Sequence, residues 1–201
     1  FILAGDPKQL GPVVLCEDIQ HRFEYHVSPM ERILRSDRIA TIACVMLEVC
    51  YRCHPQILSF VNLHYSGHLH APEDLSEGKW HSQQSPYKRF QLLHCVGKES
   101  RDAKSPSVGN DLEATEVVDL IGRLAMDTIN VPNEVLKRLA VLSPYMRQVK
   151  GIREKLRVAC GASGTWYHRV PAFRRELMSN IEIATIEAFQ GREASIVILS
   201  T

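Results

Sequence analysis

Short, continuously apolar runs, separated by glycine- or proline-bounded loops and amphipathic helices, constrain this chain more than any other feature. Residues 1–4, 44–47, 139–142 and 196–199 are such runs. A strand without polar alternation is covered on both faces, and strands separated by helices lie parallel. The helices are equally marked. Ser28 and Glu31 form a capping box, with Pro29 at the first helical position, for a short helix over 29–35. Pro55 opens another, with Ile57, Leu58, Val61 and Tyr65 on one face. Asn110 with Glu113 caps a third, whose apolar positions Ala114, Val117, Val118, Ile121, Leu124 and Ala125 recur at steps of three and four. A fourth follows Ser143-Pro144, with Tyr145, Val149, Ile152 and Leu156 inward and Lys150, Glu154 and Arg157 outward. Strands are also expected over 90–96 and 181–185, and irregular chain over 5–15, 70–89 and 159–178. The fold class expected is α/β, a doubly wound parallel sheet with helices on both faces. In such sheets ligands gather at the carboxyl ends of the strands.

Length and charge narrow the options. With 201 residues and 45% hydrophobic content the chain can bury one good core plus an appendage. Lys and Arg number 24 against 23 Asp and Glu, so no global field draws in polyanions and any nucleic-acid site must be local. No run approaches about 18 uncharged apolar residues, and the first residues lack signal-peptide order. A soluble intracellular chain with no membrane contact is expected. Most of the six scattered cysteines then read as buried thiols in place of a disulfide framework. Residues 1–4 and 196–201 read as strands cut at the chain's ends, so a fragment is expected.

Three blocks carry the chemistry, all in loops at or beside the carboxyl ends of expected strands. They are Gly5-Asp6-Pro7-Lys8-Gln9-Leu10-Gly11-Pro12, Tyr51-Arg52-Cys53-His54-Pro55 and Ala188-Phe189-Gln190-Gly191-Arg192-Glu193. Each alone is weak, because these residue types are common at turns. In order, they resemble nucleotide-facing motifs of superfamily-one helicases of the nonsense-decay type, in which ATP lies between two RecA-like domains. Residues 97–110, and Ser143-Pro144-Tyr145-Met146-Arg147-Gln148-Val149 with Ile152-Arg153, look most like the Armitage or Moloney-leukaemia-virus-resistance branch.

What the resemblance implies can be placed residue by residue. Arg52 is the candidate finger, since a guanidinium fork fits phosphate oxygens better than an ammonium does. Tyr51 offers a flat face to adenine. Gln9, a neutral amide, can donate to a γ-phosphate oxygen and accept from an attacking water. Asp6 pairs with loop amides or lies near the metal water. Gly191 permits close backbone approach to phosphate, and Glu193 accepts from ribose hydroxyls. Ser143 and Thr185 offer hydroxyls to the backbone phosphates of a nucleic acid, contacts that position a strand without reading its sequence. The plainer alternatives are a core Tyr51, an Arg52 surface ion pair, a Gln9 that ties its own loop and a turn capped by Glu193.

The resemblance implies the C-terminal part of an ATP-dependent RNA helicase motor of the P-loop class, moving on single-stranded RNA in silencing or decay. DNA is the alternative strand, and a cytoplasmic or else nuclear location follows. Residues 1–38 look like the tail of a first RecA-like domain, which would be a partner of the rest. Residues 39–201 look like an incomplete second one. No G-x-x-x-x-G-K-[ST] occurs in the chain, and no Asp-Glu pair ends a strand, so the phosphate loop and the magnesium ligands are expected before Phe1. A further arginine motif is expected after Thr201. The isolated chain is then expected to be inactive. The competing class is a non-catalytic nucleic-acid-binding or protein-docking module on the same fold.

Two other patterns weigh less. Cys50-Tyr51-Arg52-Cys53-His54 matches a haem-attachment pattern, but no export signal precedes it and Pro55 follows at once. Cys50 and Cys53 with His64 and His68 mimic a zinc spacing, but the ten residues between the pairs fall short of the usual gap of about twelve. No protein metal site is expected, His54 reads as a helix cap, and His64 with His68 as a polar helix stripe. Trp166, Tyr167, His168, Arg169, Arg174 and Arg175 mix aromatics with charge. They either clamp a single strand or, by default, cover apolar surface.

Overall fold

A computed structural model describes residues 2–36, 44–72, 86–101 and 106–201. It divides into two compact units, Phe1–Glu77 and Gly78–Thr201. The boundary expected near residue 38 falls at residues 37–43, outside the described residues.

Among its described residues the first unit shows three short helices. α1 spans Glu17–Phe23, α2 spans Pro29–Leu34, and α3 spans Pro55–Asn62 with a 3-10 turn over Leu63–Tyr65. α2 is the helix its sequence dictates, since the Ser28 hydroxyl accepts from the Glu31 amide at 3.1 Å and Pro29 sits at the first turn. α1 was not legible, because it has no side-chain cap at Cys16. Its C-terminal end is closed from outside. Arg32 donates to the carbonyls of Phe23 and Glu24, which a helix end leaves without partners. In α3 the expected face is inward, with Leu58 buried and Ile57, Val61 and Tyr65 half-buried.

The strands expected over 1–4 and 44–47 do not form among the described residues. Ile2, Leu3, Val45 and Leu47 are exposed. A strand exists only as part of a ladder, and the pairing seen among the described residues here is a single parallel bridge between Val49 and His70. Cys50 N–H donates to His70 O at 2.8 Å and His70 N–H to Glu48 O at 2.9 Å. The expected His64–His68 stripe is also broken. Ser66 and Gly67 are left-handed and end the helix, and His68 Nδ1 lies 4.0 Å from a Glu48 carboxylate oxygen.

The second unit is α/β. A hairpin of β1 (Glu99–Arg101) and β2 (Val108–Asn110) leads to α4 (Asp111–Met126), α5 (Asn133–Leu136), β3 (Leu139–Ser143), α6 (Met146–Cys160), α7 (Ala172–Ser179), β4 (Glu182–Thr185) and β5 (Ile196–Leu199). The last three strands form a parallel sheet in the order β4-β3-β5, flanked by helices. Register sets Val141 beside Ile183 and Ile198, and these join Leu139, Ile196 and the inner faces of α4 and α6 in one core. All six apolar positions expected in α4 are buried, as are Val149, Ile152 and Leu156 in α6. Tyr145 instead precedes α6 at its N-cap and is 37% exposed. On β5, Val197 and Leu199 have the opposite parity to the core residues and are exposed.

The strand expected over 90–96 is irregular chain, with Phe90, Leu92 and Val96 exposed, and pairing begins only at Glu99. Residues 159–178 were expected to be irregular, yet they contain most of α7. Of the aromatic-basic stretch, Trp166 and Arg174 are buried, whereas Tyr167, His168 and Arg169 are exposed. Trp166 is 4% exposed and packs so close to α4 that a Cβ on Gly122 would meet the indole at 2.7 Å. Arg174, 3% exposed, donates to the carbonyls of Ala125 and Asp127 at 3.1 Å each, to those of Leu124 and Val131, and to Asn133 Oδ1 at 2.9 Å. It closes the C-terminal end of α4 as Arg32 closes that of α1. The six cysteines are free thiols but not the buried ones expected, since Cys16 and Cys44 are exposed and Cys50, Cys53, Cys95 and Cys160 only half-buried. No helix among the described residues is long and apolar enough to cross a membrane.

Candidate functional site

In the first unit the loop beginning at Gly5 is organised around one carboxylate. Asp6 Oδ1 accepts from the Lys8 amide at 3.0 Å, and Oδ2 accepts from Gln9 Nε2 at 3.0 Å and from the Tyr65 hydroxyl. Gln9 N–H closes the turn on Asp6 O at 3.2 Å. Asp6 therefore pairs with a loop amide, one of the two readings its sequence allowed. Burial pushes its carboxyl up, but the hydrogen bonds from Tyr65, Lys8 and Gln9 outweigh this and hold it below the ordinary carboxylate range. The same bond, with burial, pushes the Tyr65 hydroxyl up to about 12.

Lys8 extends the contact, its Nζ donating to the His64 carbonyl and lying 5.1 Å from the centre of the Tyr65 ring. The loop that presents Gln9 is thus fastened to the end of α3. The start of α3 carries the second block. Tyr51 is 74% exposed and Arg52 is exposed, in a bend that ends at His54. His54 Nδ1 accepts from the Gln56 amide at 3.1 Å and caps the helix, as the sequence indicated.

In the second unit the candidate residues meet at the carboxyl ends of adjacent strands. Ser143 and Thr185 are register partners on β3 and β4, and the Ile186 amide donates to Ser143 O at 3.3 Å. Ser143 is fully buried, and its hydroxyl accepts from the Tyr145 amide at 3.2 Å. The side chain that reaches solvent here is Tyr145. Thr185 is half-buried, and its hydroxyl accepts from the Ala188 amide at 3.3 Å, which begins the turn carrying the third block. That turn ends at Gly191, where φ is +81° and nothing lies within 4 Å of the place a Cβ would take. Both facts fit a backbone that an anionic group approaches closely. Glu193 follows, exposed, with Arg138 at 4.0 Å, and Arg192 pairs with Glu182.

A buried amide supports these strand ends, and its role was not evident from sequence. Gln148 on α6 accepts from the Asn110 amide at 2.8 Å and donates to Ser200 Oγ at 2.9 Å, while Ser200 donates to Glu113 at 2.8 Å. Its side chain locks the N-terminal end of α4 to the end of β5. The only sequence signal is a glutamine on an otherwise apolar helix face. No group of three His, Cys, Asp or Glu side chains suited to a metal occurs among the described residues.

A family model described as "AAA domain" matches residues 25–201. The chain belongs to that family. Its relatives are helicases of the type the three blocks indicate. The chain is 27% identical over its whole length to "Putative helicase mov-10-B.1" of Danio rerio, covering 20% of that protein. It is 29% identical to "Regulator of nonsense transcripts 1" of Caenorhabditis elegans, covering 17%, and 31% identical to "RNA helicase Mov10l1" of Homo sapiens, covering 16%. It therefore spans 16–20% of the length of these relatives. The parallel sheet flanked by helices is the RecA-like arrangement expected of a helicase domain in this family.

Proposed function

We propose that the chain is part of an ATP-dependent helicase motor that moves on single-stranded RNA, and that it works in the cytoplasm. The observation that carries this reading is in the first unit. Gln9 and the Tyr51-Arg52 bend are both exposed, and one hydrogen-bonded cluster fastens the Gln9 loop to the helix that Tyr51-Arg52 precedes. A sensor and a charge-neutralising arginine need that common frame, because positioning and electrostatics supply most of phosphoryl-transfer catalysis.

In this reading Gln9 orients the attacking water, Arg52 neutralises charge on the γ-phosphate and Tyr51 stacks on the base. Gly191 and Glu193 meet phosphate and ribose, Thr185 holds a backbone phosphate of the strand, and Ser143 shapes the turn that presents Tyr145. The boundary between a first and a second RecA-like domain is placed near residue 38, and magnesium ligands are assigned to neither part of this chain.

The test uses the full-length protein. Arg52→Ala should lower ATP turnover on the order of 10³-fold and leave RNA affinity without nucleotide nearly unchanged. Thr185→Ala should weaken RNA binding and RNA-stimulated turnover while basal hydrolysis persists. Near-normal turnover in Arg52→Ala would remove the motor reading. RNA binding with no turnover in the unsubstituted protein would favour a non-catalytic module.

A further inference from the structure

The cluster around Asp6 has a property that the assigned roles do not use. An ionised carboxylate only accepts hydrogen bonds, so its contact with Gln9 selects one of the two orientations of the amide. Nε2 is committed to Asp6, and Oε1 is kept as an acceptor. Tyr65 donates to the same Oδ2 and so fixes the carboxylate that fixes the amide. Lys8, between Asp6 and Gln9, is tied to the neighbouring His64 carbonyl and to the face of the Tyr65 ring. Tyr65 closes the 3-10 turn that continues α3, the helix whose cap follows Arg52. One side chain thus links the orientation of Gln9 to the C-terminal end of the helix that the Arg52 bend precedes.

We propose that Asp6 and Tyr65 are positioning residues for ATP hydrolysis, holding Gln9 with its carbonyl oxygen toward the attacking water and in fixed register with Arg52. The inference rests on the assignment of Gln9 and Arg52 to the nucleotide. Neither residue touches the reacting atoms. The carboxylate is held below the ordinary range and the phenol is pushed up to about 12, so at neutral pH the pair keeps the one charge state in which a phenol donates to a carboxylate. Orientation is therefore not traded for a proton near pH 7.

A double-mutant cycle on the full-length protein tests this, with ATP turnover, KM for ATP and amide hydrogen exchange as readouts. Gln9→Ala should lower kcat by on the order of 10²-fold, as the loss of one preorganised group does. Tyr65→Phe, which removes only the hydroxyl, should lower kcat about tenfold with KM nearly unchanged, the cost of a misplaced group. It should also speed exchange of the Lys8 and Gln9 amides. If Tyr65 acts through Gln9, adding Tyr65→Phe to Gln9→Ala should cause almost no further loss. Losses that multiply in the double variant would overturn the proposal, since a merely structural tyrosine gives that result. So would normal kcat in Tyr65→Phe beside a disabled Gln9→Ala. Normal turnover in Gln9→Ala removes the nucleotide assignment itself, and the proposal with it.

Discussion

Among the described residues of Phe1–Glu77 only Val27 and Leu58 are buried apolar side chains, whereas every other buried apolar residue belongs to Gly78–Thr201. The second unit is organised by a sheet with α4 and α6 against it. The first is organised by point contacts, with Arg32 on the end of α1, His54 and Ser28 on helix starts, and Asp6 joining a loop to Tyr65. Both units contain a tyrosine that donates to an aspartate. In the first, Tyr65–Asp6 is a principal tie. In the second, Tyr87 donates to Asp127 at 3.0 Å beside a large core and is one contact among many. Burial can be read from an apolar repeat, because it is non-directional and additive in area. Point contacts need one particular atom in one place.

The largest expected effect tests whether the second unit is core-held. Trp166→Ala should cost about 3–5 kcal/mol in urea unfolding, because an indole buried against Gly122 leaves a cavity that α4 cannot close. A loss under about 1 kcal/mol would break the contrast. Arg174→Met keeps the aliphatic stem and strands buried carbonyls around the end of α4, so at least about 2 kcal/mol should be lost. Neutral behaviour would mean that α4 ends without it.

Helix caps sharpen the contrast on a finer scale. Asn110→Ala and Ser28→Ala should each cost about 1 kcal/mol. The exchange of amides should rise across α2 in Ser28→Ala but only in the first turn of α4 in Asn110→Ala, since α4 is pinned by its core face. Equal spread in both helices would count against the two modes of support.

The smallest effect is in pH dependence. Burial, then the bond to Asp127, pushes Tyr87 up to about 12. A raised value stabilises the fold fully below the unfolded value near 10 and loses that contribution as pH climbs towards 12. The Asn130 amide, against a smaller burial penalty and with help from Tyr87, holds Asp127 below its ordinary 3.8. That contribution is present above 3.8 and is lost as pH falls through the lower folded value. Stability should thus fall off at both limits, and Tyr87→Phe should flatten the alkaline one. An unchanged alkaline limb would assign that limb to other groups.

Legibility in the sequence followed the same division. The register of α4, the inner face of α6 and strands β3, β4 and β5 agree with the apolar pattern, because each lies against a core that the pattern itself builds. Among the described residues the strands expected over 1–4 and 44–47 do not form, since an apolar run names a strand but not its partner. Residues 159–178 hid a helix and two buried anchors, because aromatic and cationic side chains together read equally as a binding surface and as a cover. For the candidate site, the sequence marked Gln9, Tyr51, Arg52, Gly191 and Glu193 through their loops, and the structure leaves Gln9, Tyr51, Arg52, Gly191 and Glu193 exposed. Ser143 was marked for its hydroxyl and is fully buried. Tyr65 was marked only as a core-facing residue.

By itself the sequence determined the α/β class, the family, the core of the second unit and which loops hold the candidate site residues, because all of these follow from local pattern and residue type. The tertiary structure alone decided which atoms meet. It set the Tyr65 hydroxyl on Asp6, the Gln148 amide between Asn110 and Ser200, and Arg174 on the open carbonyls of α4. Each joins residues far apart in the chain through a bond with strict distance and angle, and no periodicity encodes such a bond.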